Sequence, residues 1–405
     1  MKSFDVPLQF RSALISAIKN KRKQADKLKK DVSPTSLSIG TLTISLARHF
    51  GFCYGVENAI EIAFKAVDEN PTKRIYLLSE MIHNPGVNAD LLQSGVQFIM
   101  DTKGKQLIPW DQIQADDIVI IPAFGTTVEI EQLLKEKGIE PTRYETTCPF
   151  VEKVWNRAEK IGQDGYTIIV HGKPQHEETR ATFSHSKEHA PTLVINDMSE
   201  AITLGAFING EKDLSLFFDT FKGQYNEGFD PHKDLQRIGV VNQTTMLASD
   251  TQAIAEYLKQ VMITHYQLNE ATIANRFADT RDTLCYATND NQSAMQAMLE
   301  TPADVAIIIG GYNSSNTSHL VELCETKIPT YYIKDEHCLL DNLQIAHYNF
   351  HTKEQLQSTF DTTAKRILIS AGASCPDAVV ERVIARICLL HQEVAAFEAL
   401  KTSWI

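Results

Sequence analysis

Three cysteines of this chain each open the same succession of segments, and that succession limits the possible folds more than any other feature. Cys53 stands in HFGFCYGVENAI, Cys148 in ETTCPFVEKVW and Cys285 in DTLCYATNDNQ. Each is followed by a stretch with apolar residues at helical spacing, then a short apolar run of strand type, then a polar loop. The loops are SEMIHNPG, VHGKPQHEET and GGYNSSNTS. His83 lies 30 residues after Cys53, His176 lies 28 after Cys148 and Ser314 lies 29 after Cys285. A second apolar run with its own polar loop completes each unit, in IVIIPAFGTT, RIGVVNQTTM and RILISAGASCPD. This internal threefold pattern puts three thiols at equivalent places. Three thiols meeting at one centre can hold a metal or cluster and leave one coordination position open for chemistry.

Strands alternating with helices imply an α/β fold with parallel sheets. In such sheets ligands gather at the carboxyl ends of strands. All the polar loops follow strands, so those of a unit share one face. The pattern divides the chain into a basic N-terminal extension at 1–40, ending in the breaker DVSPTS, and three α/β domains at 41–147, 148–284 and 285–405. The last includes a C-terminal helix. From cysteine to second loop the distances diverge: Phe124 is 71 residues after Cys53, Thr244 is 96 after Cys148 and Ser374 is 89 after Cys285. The second domain therefore holds extra chain, placed near 208–235 and read as a polar, aromatic surface insertion.

Composition narrows the function classes. No run of about 18 apolar residues exists, so a transmembrane helix is not expected. The start lacks the features of a secretory signal. Seven cysteines, odd in number and widely spread, fit a reducing compartment. A bacterial cytoplasm is the expected location. The net charge of −12 disfavours non-specific binding to nucleic acid or anionic membrane. The charge is uneven, because residues 19–30 carry seven Lys or Arg and one Asp. That segment reads as a solvated amphipathic helix packed on the body, or as a docking patch for an acidic partner. A transit peptide is disfavoured by Asp5, Asp26 and Asp31.

Cys324, Cys338 and Cys388 lie in helix- or strand-like runs and read as packing residues. Cys375, in the SAGASCPD loop, could approach the site, but packing is the favoured reading for it too. No CxxC pair occurs, which disfavours a zinc ribbon or a ferredoxin-type ligand run. In VHGKPQHEET, Arg180 stands where a zinc protease needs its second histidine, so that motif fails. The loop is either a capped helix start or a histidine beside a proton-donating carboxyl group. GGYNSSNTS opens a helix with small hydroxyl and amide side chains, which suits an anion cradle or an ordinary helix cap. It lacks the lysine of a nucleotide P-loop, so phosphate binding is supported and nucleotide binding is not.

In this order, GFCYGV, HNPGV, TTCP, HEET, NQTT, LCYATNDNQ, NSSN and AGAS closely resemble the 4-hydroxy-3-methylbut-2-enyl diphosphate reductase, or LytB, family over roughly residues 45–380. The resemblance implies an iron–sulfur oxidoreductase of the non-mevalonate isoprenoid pathway. It would remove the allylic hydroxyl reductively, giving isopentenyl and dimethylallyl diphosphate and water. It also implies a pseudo-threefold trefoil of three α/β domains around a central cluster. By motif, Cys53, Cys148 and Cys285 would ligate a [4Fe–4S] cluster whose fourth iron binds the substrate hydroxyl. Glu178 would deliver the proton to that hydroxyl, and Thr244 would help orient it. His83, His176, Ser314, Ser315, Asn316 and Ser374 would hold the diphosphate. A ferredoxin- or flavodoxin-type electron donor is implied as partner.

One position departs from the common pattern. Many family members carry a histidine before the glycine of PAFGTT, where this chain has Phe124; plant and cyanobacterial types look similar there. Thr126, Thr127 or a backbone amide would compensate. Three other readings share some of the same residues: a cluster-dependent dehydratase that needs no reductant, a sensor with a structural cluster, and a sugar-phosphate site beside buried thiols.

Overall fold

The computed structural model describes residues 4–28, 30–278 and 283–405. Lys29 of the basic segment and Asp282 of DTLCYATNDNQ lie outside the described residues. In chain order, helix α1 (Ala13–Ala25) precedes strands β1 (Thr35–Ile39) and β2 (Leu42–Leu46), and helix α2 (Tyr54–Glu69) starts directly after Cys53. Next come β3 (Ile75–Leu77), α3 (Pro85–Gln93), β4 (Val96–Phe98), β5 (Ile118–Ile120) and α4 (Val128–Glu136). Helix α5 (Pro149–Gln163) starts directly after Cys148, and β6 (Thr167–His171), α6 (Glu177–Lys187), β7 (Thr192–Ile195) and α7 (Met198–Ile208) follow. Two short helices, α8 (Phe217–Thr220) and α9 (Pro231–Asp234), precede β8 (Ile238–Asn242) and α10 (Ala248–Tyr266). Helix α11 (Tyr286–Met298) starts directly after Cys285 and leads to β9 (Val305–Ile309), α12 (Ser315–Glu325) and β10 (Thr330–Ile333). A hairpin of β11 (Gln344–Asn349) and β12 (Glu354–Thr359), then β13 (Arg366–Ala371), α13 (Asp377–Leu390) and α14 (Val394–Trp404), complete the chain.

The chain packs as two compact units. One comprises Met1–Glu61, Ile82–Asp90 and Tyr286–Ile405, and the other Ile62–Met81 and Leu91–Cys285. The first holds a five-stranded sheet in the order β1-β2-β13-β9-β10, antiparallel only between β1 and β2. The second holds two parallel three-stranded sheets, β4-β3-β5 and β7-β6-β8. The threefold sequence pattern becomes a topological one. In each sheet the first strand after a cysteine helix lies between the next strand and a later one: 4-3-5, 7-6-8 and, within the five-stranded sheet, 10-9-13, where the β11–β12 hairpin intervenes along the chain. The central strands β3, β6 and β9 are buried along their whole length. Their near-continuous apolar sequences suit parallel strands covered on both faces.

The elements form for local reasons. Pro149 occupies the first helical position of α5, where its missing N–H costs nothing. The helix buries Val151, Val154, Ala158 and Ile161, a stripe at helical spacing. Ser12 caps α1, its Oγ accepting the Ile15 N–H at 2.9 Å. Leu14, Ile15 and Ile18 of α1 enter the first unit's core, and the helix packs against α13 and α14.

Two segments carry more than the sequence pattern foretells. The stretch read as an N-terminal extension contributes an edge strand, β1, with Leu37 and Ile39 buried on its inner face. The segment near 208–235, expected as surface chain, brings its own aromatic core. Phe217, Phe221 and Phe229 are buried there, with the Phe217 and Phe229 rings stacked 5.3 Å apart. Its backbone also runs along β7, where Val194 N–H donates to the Gln224 carbonyl at 2.7 Å. The free edge of that sheet is thereby covered. Among the described residues, no helix is long and apolar enough to cross a membrane.

Candidate functional site

In the second unit the site is built from three strand ends and two helix starts. Cys148 is the residue before α5, its N–H held by the Ala123 carbonyl at 3.0 Å. Burial pushes its thiol up to about 12, and the nearby Cys285 and Glu178 push in the same direction. The Phe150 and Val151 N–H groups of the helix start only partly offset this. Cys285 is buried, its N–H donates to the Thr244 carbonyl at 3.4 Å, and the Thr283 hydroxyl ties the same stretch to Asn242 at the end of β8. Two thiols and a carboxyl group thus stand within electrostatic reach of one another. A cation that replaces their protons removes both the burial penalty and the repulsion. This donor set fits a metal cluster. Among the described residues, no three His, Cys, Asp or Glu are grouped to hold a single metal ion.

Glu178 lies in the first turn of α6 and is 1% exposed. Its Oε1 accepts the Thr244 N–H. His176 caps the same helix, its Nδ1 accepting the Glu178 N–H at 3.2 Å. An accepting Nδ1 places the ring proton on Nε2 in the neutral ring, which makes Nε2 a donor. The Phe124 ring stands edge-on to His176, with centroids 5.7 Å apart at 84°. The neighbouring Thr127 hydroxyl and Thr126 carbonyl have structural duties. Thr127 caps α4, and the Thr126 carbonyl faces His185 Nε2 at 3.1 Å. His171 is 1% exposed, and its Nδ1 bonds Thr251 Oγ1 at 3.1 Å.

Gln243 stands out although the motif reading gave it no role. Its Oε1 accepts from Lys173 N–H at 3.2 Å and Thr179 Oγ1 at 3.0 Å, and its Nε2 donates to Thr245 Oγ1 at 2.7 Å. It clamps the loop after β6 to the loop after β8, and so fixes Glu178 against Thr244.

In the first unit Cys53 precedes α2, its N–H donating to the Ala373 carbonyl at 3.2 Å. The Tyr54 N–H donates to the Tyr286 hydroxyl at 3.1 Å. All three pattern cysteines therefore head helices, where the positive end of the helix dipole favours a thiolate. The ends of the parallel neighbours β9 and β13 deliver the loops of Ser314 and Ser374. Ser314 caps α12, and Ser374 Oγ donates to the His83 carbonyl at 3.1 Å. His83, Ser314, Ser315, Asn316 and Ser374 are all buried. Asn316 Oδ1 accepts the Ala373 N–H at 2.9 Å and the Asn291 amide at 3.3 Å, while its buried Nδ2 has no hydrogen-bond partner. An orphaned buried donor at a helix start, among hydroxyls, is a place for an anion. Cys375 is fully buried in the core, and its thiol is pushed far up by that burial. It packs rather than approaching the loops' chemistry.

The LytB protein family model matches residues 44–388. A 4-hydroxy-3-methylbut-2-enyl diphosphate reductase of Picosynechococcus is 42% identical over 362 residues, 89% of this chain and 87% of that protein. The reductase of the same name from Gloeothece citriformis is 37% identical over 96% of this chain and 91% of its own length. Among solved structures, the E-1-hydroxy-2-methyl-but-2-enyl-4-diphosphate reductase of Plasmodium falciparum aligns with a TM-score of 0.62 at 20% identity, covering 85% of this chain and 87% of that one. At that identity the likeness concerns the fold. On the family match and the identity to these relatives, the chain belongs to the LytB family.

Proposed function

We propose that this oxidoreductase removes the allylic hydroxyl of 4-hydroxy-3-methylbut-2-enyl diphosphate reductively, giving isopentenyl and dimethylallyl diphosphate and water. Cys53, Cys148 and Cys285 would hold a [4Fe–4S] cluster, which when bound would supply electrons and Lewis acidity. The protein's own work is positioning and proton delivery. Glu178, in its protonated form, gives its proton to the departing hydroxyl so that it leaves as water. The Thr244 N–H holds one carboxyl oxygen, and Gln243 keeps the two loops that carry them together. The Thr244 hydroxyl orients the hydroxyl-bearing carbon. Ser314, Ser315 and Asn316, with His83 and His176, donate to the diphosphate, and Ser374 joins them when its hydroxyl turns from the His83 carbonyl. With Phe124 in place of histidine, the diphosphate set is nearly neutral.

The observation that carries this reading is the pairing of a buried carboxyl group, Glu178, with two thiols in electrostatic contact. Electrons come from a ferredoxin- or flavodoxin-type donor, and the bacterial relatives favour a cytoplasmic setting. The test is turnover of the hydroxylated diphosphate by anaerobically reconstituted protein, with and without reductant, beside Glu178→Gln. Reductant-dependent release of both five-carbon diphosphates, lost in the variant, is expected. Conversion without reductant means a dehydratase, and a cluster-loaded protein that leaves the substrate untouched means a sensor.

A further inference from the structure

Thr317 lies in the first turn of α12, is wholly buried and is reached by no solvent. Its Oγ1 donates to Ser314 Oγ at 3.0 Å, and its backbone N–H donates to the same oxygen at 3.2 Å. A serine hydroxyl has two acceptor lone pairs and one proton. With both lone pairs engaged from within the protein, the remaining capacity of Ser314 is to donate. A diphosphate offers oxygens that only accept, so this polarity matches it.

The surroundings are shaped to keep Thr317 in place. Gly310 and Gly372 follow the parallel neighbours β9 and β13, and a Cβ on either would collide with Thr317 Oγ1. The two missing side chains leave the space that this one fills. Behind it, the buried Tyr332 hydroxyl donates to the Gly311 carbonyl and lies within hydrogen-bonding reach of Thr317. Tyr312, on the same loop, meets the Tyr332 ring edge-on at 5.3 Å and stacks on Tyr348 of the hairpin at 4.5 Å. The loop that presents Ser314 is thus braced from the rear by three tyrosines.

We propose that Thr317 is a positioning residue for the diphosphate, holding the Ser314 hydroxyl in the orientation that donates outward. The inference rests on the diphosphate reading of Ser314 given above. The test measures the Kd of inorganic pyrophosphate by titration calorimetry on reconstituted enzyme, with KM, kcat and Tm, for S314A, T317V, T317S and T317C. T317V is expected to raise Kd and KM about five- to tenfold, the loss of one well-placed hydrogen bond, with kcat little changed. T317S, which keeps the hydroxyl, is expected to restore both. T317C, similar in size with a weak donor, repeats the T317V effect should the valine variant fold poorly. A T317V enzyme that binds pyrophosphate as well as wild type or better, beside an impaired S314A, overturns the proposal; Ser314 would then donate inward through Thr317 toward Tyr332. An S314A enzyme that binds pyrophosphate normally removes the diphosphate reading of Ser314, and this proposal with it.

Discussion

The contact between Glu178 and its backbone partner lets the proposed proton delivery be tested apart from the fold. Glutamine at 178 retains an oxygen to accept the Thr244 N–H, so the fold around it is preserved while the proton proposed to reach the substrate is gone. Glu178→Gln is expected to lower kcat at least about a hundredfold, the usual weight of general acid catalysis, with Tm and the cluster's visible absorbance unchanged. The cysteines and Glu178 stand out in the sequence because the segments around them recur or match a motif. Gln243 and Thr317 do not, although the loops depend on them. A side chain that works by crossing from one loop to another leaves no periodicity along the chain, and its partners are far away in sequence. The orphaned Nδ2 of Asn316 is likewise visible only once the neighbours that satisfy its Oδ1 are in place.

Helix α1 illustrates the same division among elements. Its apolar spacing is plain in the sequence, but the fate of its basic residues is not. Lys19 pairs with Asp377 at 2.7 Å, Lys21 lies over the Trp404 ring at 4.5 Å and Arg22 bonds Asp31 at 3.0 Å. Lys23, Lys27 and Lys30 are left exposed. If the basic segment docks an acidic electron donor, these three carry the field. Reversing them together to Glu is expected to raise the donor's KM several-fold at low salt and to flatten its salt dependence, with Tm held. Unchanged donor kinetics would place docking elsewhere. Helices α4 and α6 are joined through Glu129, which meets Lys187 and accepts from Ser184 Oγ at 2.8 Å. Burial opposes ionisation of Glu129, but Lys187, the helix-start N–H and the two hydroxyls outweigh it and lower its pKa to about 2. A carboxyl group depressed in the folded state stabilises above its ordinary value of 4.5 and loses that contribution as the pH falls toward about 2. The side chain is 57% exposed, so solvent screening holds the effect to about 1 kcal/mol or less. Glu129→Gln is expected to remove that part of the acid dependence in urea melts between those two pH values.

Across the whole chain, the recurring strand order is the part of the architecture that the threefold sequence pattern made legible: apolar runs separated by helices and polar loops leave few ways to wind a parallel sheet. The stretch between β7 and β8 was harder to read, because its aromatic residues are scattered among charges and glycines and their common core forms only after the chain doubles back. Phe217, at its centre, contacts five other aromatic rings within the second unit. Phe217→Ala is expected to destabilise that unit by roughly 3–5 kcal/mol in denaturant unfolding, while KM at temperatures well below the melt stays as in wild type. The tight fit of Thr317 against Gly310 and Gly372 also limits which substitution can come first. The second α/β segment has a like pair, because a Cβ on Gly172 would lie 2.6 Å from Thr179 Oγ1. At the matching positions of the first segment the sequence reads Ser79 and Gly86, with the hydroxyl residue and the glycine exchanged. In either glycine–threonine pair the threonine has to shrink before any side chain can grow on the glycine.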